Sequence, residues 1–285
     1  MRLPRQRVAS STCGHRGLKA EGTVISSQPV RFWVPWLLLC AGCGVFEFHP
    51  YELRGMDGDR HARALERLRS EAGDGPLRFA VLGDIQLFLD ESGAAVEDLE
   101  QRDVDFVVQV GDLTEYGSAQ EYAWVARLLD RLRVPSFAVL GNHDVLGTGA
   151  DIYRRTFGPT FFSFQHAGSR FVLFDSNSRE YGFPGNVPDL EALREALAPE
   201  PGLFHTFTFS HVPPGHGDFD ASLAGPLEQL QAEQGVSVSF HAHIHQFGSE
   251  VRQGVRYFVA DSLDHRNYLL VTVDGPLVRV EQVFF

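Results

Sequence analysis

Asp84, Gln86, Asp112, Asn142, His143, Asp144, His211, His243 and His245 are the residues of this chain whose types and placement could do chemistry. Each stands at or just beyond the end of an apolar run. These runs read Val81-Leu82-Gly83-Asp84-Ile85-Gln86, Val110-Gly111-Asp112, the stretch 134–140 leading into Gly141-Asn142-His143-Asp144, Phe209-Ser210-His211, and Phe240-His241-Ala242-His243-Ile244-His245. Carboxylate and amide oxygens and imidazole nitrogens are the donors that hold divalent cations. Two such ions about 3.5–4 Å apart need one carboxylate between them and a few donors on each side. A single Asn-His-Asp is ordinary turn chemistry. Five strand ends in one chain that all carry cation donors point instead to a metal centre at the carboxyl edge of a sheet, where open α/β sheets keep their sites.

The elements that must position these side chains follow from periodicity. Residues 77–83, 104–110 and 134–140 read as buried strands, and 92–102 and 118–133 as helices with apolar residues at helical spacing. Ser118 with Glu121 three residues on fits a capping box. Alternating strands and helices of this length imply a parallel sheet with right-handed crossovers. The second half changes character. Residues 161–165 and 170–174 suggest a hairpin, and helices over 189–198 and 223–234 are each followed by a strand, 204–209 and 236–240. Strands over 257–260, 268–273 and 277–283 close the chain, the last two joined at Asp274-Gly275. The expected class is α/β, with two stacked mixed β-sheets flanked by helices.

Composition narrows the partners. With 285 residues and 44% hydrophobic content the chain can bury one substantial core, and a single domain over 77–285 is expected. The formal charge of −12 hides an asymmetry, because residues 1–43 carry six Lys/Arg and one acid. A body that acidic repels phosphate backbones, so general nucleic-acid binding is not expected. Cys13, Cys40 and Cys43 all lie early, which excludes a disulfide framework or a cysteine-rich zinc site in the body. Neither Gly-x-Gly-x-x-Gly nor Gly-x-Ser-x-Gly follows a strand, which argues against a dinucleotide fold and a nucleophile elbow.

The N-terminal region reads differently. Arg31 precedes the apolar run 32–43, which has the length of a signal-peptide core and ends in small residues. Leu39-Cys40-Ala41-Gly42-Cys43 resembles the lipobox of bacterial lipoproteins, with Cys40 where leucine is usual. The rival is a short buried segment or an uncleaved anchor. The expectation is a lipoprotein signal over 1–43, a lipid on Cys43 attaching the protein to the membrane, and a tether with a docking segment over 44–76 whose charged stretch 57–71 reads as a helix. That places the protein at the bacterial envelope, lipid-anchored or periplasmic; the alternative is cytoplasmic.

The series Asp84-x-Gln86, Gly111-Asp112, Gly141-Asn142-His143-Asp144, His211 and His243-x-His245 resembles the calcineurin-like metallophosphoesterase family from about Leu77 to the C-terminus. The resemblance implies an αββα sandwich that hydrolyses phosphate esters with metal-activated water. It implies two divalent ions, of Mn, Fe, Zn or Mg. Asp112 would bridge them, with Asp84, Gln86 and His245 on one and Asn142, His211 and His243 on the other. His143 would act as general acid near the leaving group, with Asp144 orienting its ring. The compact body favours a phosphodiester substrate, against a phosphomonoester or a catalytically weak binding or scaffold role. Two departures from the family pattern stand out. Gln86 replaces the usual histidine, a weaker neutral donor, and Ala242 replaces the glycine that commonly precedes the His-x-His pair.

Further polar residues carry milder expectations. His241 should point to the opposite strand face from the site and pack or hydrogen-bond there. Asp175-Ser176-Asn177 could line the cleft or form an Asx-turn. His216 and His265 read as solvated loop histidines within reach of a substrate, and Arg179 and Arg266 could meet its phosphate.

Overall fold

The computed structural model describes residues 58–70 and 75–285. The expected signal, Cys43 and most of the 44–76 segment lie outside the described residues. Among the described residues no helix is long and apolar enough to cross a membrane.

The first half of the chain alternates helix and strand as its periodicity dictates. Helix α1 (Arg60–Ser70) leads into β1 (Leu77–Leu82), α2 (Leu89–Leu99), β2 (Phe106–Gln109), α3 (Ala119–Leu129) and β3 (Ser136–Ala138). A 3₁₀ turn over His143–Val145 and helix α4 (Gly149–Thr156) follow. Ser118 caps α3 in the expected box, its hydroxyl accepting from the Glu121 N–H while the Glu121 carboxylate accepts from the Ser118 N–H. Next come β4 (Phe162–His166), β5 (Ser169–Leu173), α5 (Leu190–Leu197), β6 (His205–Phe209), α6 (Ala221–Glu233) and β7 (Val238–His241). Strands β8 (Gly248–Arg252), β9 (Val255–Val259), β10 (Asn267–Asp274) and β11 (Leu277–Phe284) end the chain.

One sheet has the order β11-β10-β1-β2-β3 and the other β4-β5-β6-β7-β9-β8. β1, β2 and β3 are parallel, as are β5, β6, β7 and β9, while antiparallel strands complete both sheets. Both sheets are therefore mixed.

Period-two alternation divides the core into layers. Phe79 and Val81 of β1 face the second sheet, with Phe106, Phe137, Phe171, Phe207, Phe209 and Phe240. Ala80 and Leu82 face the opposite way, against Val96 and Leu99 of α2 and Tyr122 and Val125 of α3. Leu193 and Leu227, from α5 and α6, cover the outer face of the second sheet at Val172 and Tyr257. The Phe79 ring stacks on Phe106 at 5.1 Å and meets Phe171 edge-on at 5.6 Å, geometries that aromatic quadrupoles favour. This aromatic layer locks the sheets face to face and so sets the spacing of their carboxyl edges.

Two elements were not anticipated. β8 has a polar, exposed sequence at a sheet edge and shows no alternation to read. α4 begins at Gly149 and holds itself by burying Ile152 and Tyr153. The helix expected over 57–71 forms as α1, which packs Ala64 and Leu68 into the layer between the sheets. His61 of α1 accepts a hydrogen bond from the Ala138 N–H (3.1 Å), and the Tyr153 hydroxyl donates to the Ala138 carbonyl (2.7 Å), so side chains satisfy the open edge of β3.

Candidate metal centre

The candidate side chains leave the carboxyl ends of parallel strands in both sheets. Asp84 and Gln86 follow β1, Asp112 follows β2, and Asn142, His143 and Asp144 follow β3; His211 follows β6, and His243 and His245 follow β7. The glycines before them permit close approach. A Cβ on Gly141 would lie 1.9 Å from the Asp112 backbone nitrogen, and one on Gly111, at φ +93°, would lie 2.5 Å from the His211 ring. Gln86, Asp112, His243 and His245 adopt φ of 44°, 52°, 73° and 52°. Left-handed backbone at four non-glycine residues stores strain, and such strain concentrates where function needs a fixed side-chain direction. Ala242 has no positive φ and is buried without penalty, so its methyl group is accommodated.

Two sets of donors converge on Asp112. Its carboxylate lies within 4.8 Å of the ligand atoms of His211 and His243, and within the same distance of those of Asp84 and His245. Asp84 is fully buried, and its Oδ1 has no hydrogen-bond partner. That oxygen stands 3.7 Å from His245 Nε2 and 3.8 Å from His211 Nε2. Those separations exceed a hydrogen bond and approach the roughly 3–3.5 Å between ligands that share an ion at metal–ligand distances near 2.1 Å.

Asn142 exposes the same logic more sharply. Its Oδ1 is 3.0 Å from His211 Nε2 and 2.8 Å from His243 Nδ1. The other nitrogen of each ring also faces an oxygen: His211 Nδ1 meets the Val110 carbonyl at 2.9 Å, and His243 Nε2 meets Asp218 Oδ2 at 3.0 Å. Carbonyls and carboxylates only accept, so the neutral His243 ring spends its one N–H on Asp218 and turns a lone pair on Asn142, and His211, on giving up its second proton, would keep its N–H on Val110 and free Nε2 in the same way. Asp112 Oδ2, at 3.3 Å from His211 Nε2, adds another acceptor. Amide, carboxylate and imidazole donors gathered at this spacing fit a divalent cation, which would replace the proton on His211.

The electrostatics agree. Burial raises the Asp84 carboxyl well above the usual range, partly offset by His211. Burial works the same way on Asp112, yet His211 and His143 outweigh it and hold that carboxyl at about 2. Burial would depress His211, but Asp112 and Asp84 push it up to about 10. The pocket therefore draws in positive charge. His243, by contrast, is held down to about 4 by burial and by the neighbouring His211 and His216.

Gln86 lies beside this cluster with its carboxamide nitrogen 3.4 Å from Asp112 Oδ2. Its backbone N–H and that of Ile85 both donate to the Asp112 carbonyl at 3.0 Å, pinning the β1 and β2 loops together. A half-turn of the carboxamide would present its oxygen instead, since amide orientation follows the surrounding donors.

His143 and Asp144 do not pair as expected. The Asp144 carboxylate is fully buried and accepts from the N–H groups of Gly141, Leu113 and Thr114 and from the Thr114 hydroxyl, at 2.7–3.1 Å. It stitches the β2 loop to the β3 loop and has no bond to the His143 ring. Burial, followed by Asp112, raises its pKa to about 6. His143 Nδ1 instead donates to the Glu115 carbonyl at 2.9 Å, and its backbone N–H donates to Asp112 Oδ1 at 2.9 Å. Adjacency in sequence turned the two side chains apart, because the 3₁₀ turn aims successive residues in different directions.

Other residues sort by contact. His241 is buried between the Ser210 and Ser239 hydroxyls at 3.0 and 2.9 Å and stacks on Tyr257, away from the cluster. Asp175 accepts from the Asn177 N–H in an Asx-turn and from the Tyr181 hydroxyl. His265 is held by Asp261 at 2.8 Å, and Arg266 donates to the Phe285 carbonyl. His216 stands edge-on to His243 with ring centroids 4.6 Å apart. Glu115 and Asp218 escaped sequence reasoning, since neither ends a strand; their only signal is a place a few residues beyond Asp112 and His211.

Comparison with known proteins agrees with this architecture. Residues 77–247 match the calcineurin-like phosphoesterase family. A probable cyclic nucleotide phosphodiesterase of Rhodopseudomonas palustris is 26% identical over 205 residues, covering 62% of this chain and 70% of that protein. A dimetal phosphatase from Danio rerio superposes with a TM-score of 0.61 at 14% identity, covering 73% of this chain and 96% of the other. The purple acid phosphatase PPD1 of yellow lupin (Lupinus luteus) also gives a TM-score of 0.61 at 14% identity and covers 74% of this chain. The similarity spans about half of that longer phosphatase, 52%. At such identities these two structures speak to the fold alone, whereas the family match takes in the strand ends from Asp84 to His245. The chain thus belongs to the calcineurin-like phosphoesterase family, hydrolases of phosphate esters that work with divalent metal ions.

Proposed function

We propose that this protein is a phosphodiesterase with a binuclear centre. Asp84, Gln86 and His245 would hold one cation, Asn142, His211 and His243 the other, and Asp112 would lie between them. The observation that carries the reading is the convergence of two imidazole nitrogens on Asn142 Oδ1, at 2.8 and 3.0 Å, beside the Asp112 carboxylate. The name of the Rhodopseudomonas relative, a probable cyclic nucleotide phosphodiesterase, supports the diester preference. So do the exposed apolar side chains of Leu87, Tyr116 and Ile244, each adjoining a site residue in sequence. A diester carries an organic group on both sides of phosphorus, and exposed apolar side chains on the segments that carry the site residues would offer the second group a contact.

When bound, the cations neutralise phosphoryl oxygens and make hydroxide available near neutral pH. The chain supplies the rest. Asp112, buried beneath both donor sets, contributes negative charge to each, and its Oδ1 anchors the His143 backbone at 2.9 Å. His143 gives its Nδ1–H to the Glu115 carbonyl, which leaves Nε2 as the atom that carries a proton to the departing alkoxide. Lipidation of Cys43 remains part of the proposal; a mass increment of a diacylglycerol on an N-terminal peptide starting at Cys43 would support it, and an unmodified Cys43 would refute it.

The test of the activity is the initial rate on bis-p-nitrophenyl phosphate, 3′,5′-cyclic AMP and p-nitrophenyl phosphate with Mn²⁺, beside Asp112→Asn. Diester turnover that exceeds monoester turnover and vanishes in the variant is expected. A monoester preference, or a rate indifferent to metal, would overturn it.

A further inference from the structure

We infer that Asp218 is a positioning residue of this centre: its carboxylate takes the Nε2–H of His243 and so turns the Nδ1 lone pair of that ring towards Asn142 and Asp112, with Arg179 holding the carboxylate in place. The inference rests on the metal-centre reading above and deepens it.

A neutral imidazole has one N–H and two places to spend it. Around His243 both places face oxygen, Asn142 Oδ1 at 2.8 Å from Nδ1 and Asp218 Oδ2 at 3.0 Å from Nε2. A carboxylate is the stronger acceptor, because charge-assisted hydrogen bonds exceed those to a neutral amide. Asp218 therefore selects the Nε2–H tautomer, the one in which Nδ1 can bind metal. Without Asp218 the proton would move to Nδ1, donate to Asn142 and block the ligand position. Carboxylates that orient ligand histidines in this way typically govern metal affinity by about 10–100-fold.

The local fold keeps Asp218 in register. Phe219, the next residue, is buried in the core under the second sheet, and Asp220 caps α6 by accepting from the Ser222 N–H at 2.9 Å. Asp218 thus sits in the turn that leads into α6, followed directly by an anchored core residue and the helix cap. Its Oδ1 pairs with Arg179 at 2.8 Å, which leaves Oδ2 for His243. The Asp218 backbone N–H donates to His216 Nδ1 at 3.2 Å, and the His216 ring backs His243 edge-on.

His216, Asp218 and His243 also lie close enough to share a cation of their own. The hydrogen bonds oppose that use. His216 Nδ1 is already engaged by the Asp218 N–H, and His243 Nε2 would have to lose its proton while Nδ1 served another ion.

The experiment measures ions per chain and the affinity of each by calorimetry on the metal-stripped full-length protein titrated with Zn²⁺. The histidine tautomers are read from two-bond ¹H–¹⁵N correlations of the loaded state. The wild type, Asp218→Ala, Asp218→Asn and Arg179→Ala are compared. The expected result is two ions on the wild type and a 10–100-fold loss at one of them in Asp218→Ala. Asp218→Asn, whose amide oxygen still accepts from Nε2–H, should recover most of the affinity. Arg179→Ala should fall between, and it tests the same idea should Asp218→Ala fail to fold. Unchanged affinities together with an unchanged His243 tautomer in these variants would overturn the inference while sparing the metal centre. A third ion on the wild type that Asp218→Ala abolishes would replace it with a separate cation site. No ion on the wild type would overturn the metal-centre reading itself.

Discussion

His211 Nε2 stands 3.0 Å from Asn142 Oδ1 and 3.3 Å from Asp112 Oδ2 while the ring's other nitrogen donates to the Val110 carbonyl, so without metal a proton on Nε2, favoured by Asp112 and Asp84, is what the two oxygens share. A divalent cation would take the place of that proton among the buried carboxylates in the folded state only, so it should stabilise the fold. At a free concentration near 100 times the dissociation constant, linkage gives about 2.7 kcal/mol, or a rise of about 5–10 °C in melting temperature for a domain of this size. Differential scanning fluorimetry with Mn²⁺ after EDTA treatment measures it. Asn142→Ala should lose most of the shift, and a wild-type melting temperature indifferent to both additions would refute the relationship.

Removing the proposed proton donor should hurt the leaving group rather than the metals. His143→Ala is expected to lower kcat by about 10²–10⁴-fold on a diester with an alkoxide leaving group, and by much less on a p-nitrophenyl ester, whose phenolate departs without help. Steady-state rates on the two substrates decide it. Equal losses on both would assign His143 to charge stabilisation instead.

Asp144 should matter to stability more than to proton transfer. Its two oxygens accept from three backbone N–H groups and one hydroxyl. Asp144→Asn turns one oxygen into an NH₂ that faces donors, and unsatisfied buried groups cost about 1–3 kcal/mol each. A loss of about 2–4 kcal/mol in urea unfolding is expected; a loss below about 0.5 kcal/mol would show that the loops hold without it.

His61 gives the fold an acid-sensitive point far from the metal ligands in sequence. Burial takes its pKa from 6.5 down to about 4, and its Nε2 must stay bare to accept from Ala138. Between those values the unfolded chain binds a proton that the folded chain refuses, so stability rises with pH across the window and is lost as pH falls from 6.5 towards 4. Linkage sets the scale at about 3 kcal/mol. Chemical denaturation at a series of pH values measures it. His61→Gln, which keeps an acceptor for Ala138 without titrating there, should flatten that part of the profile; an unchanged slope would place the sensitivity elsewhere.

Much of this molecule was written locally. An apolar run that ends in glycine and a polar side chain needs no knowledge of its neighbours to be read, so Asp84, Asp112, Asn142, His211, His243 and His245 could be named as candidates from their strand ends. The capping box at Ser118 and the hairpin turn at Asp274-Gly275 are likewise short-range chemistry. Only tertiary structure decided which candidates meet. The His243 N–H donates to Asp84 Oδ2 across 159 residues, and that contact depends on how the phenylalanine layer spaces two sheet edges. Asp144 went to the backbone of a neighbouring loop, Glu115 supplied a carbonyl where a side chain was expected to act, and Asp218 reached His243 from the turn before α6. Strand periodicity says which way a side chain leaves its own strand; which acceptor it finds depends on surfaces brought together by the buried core.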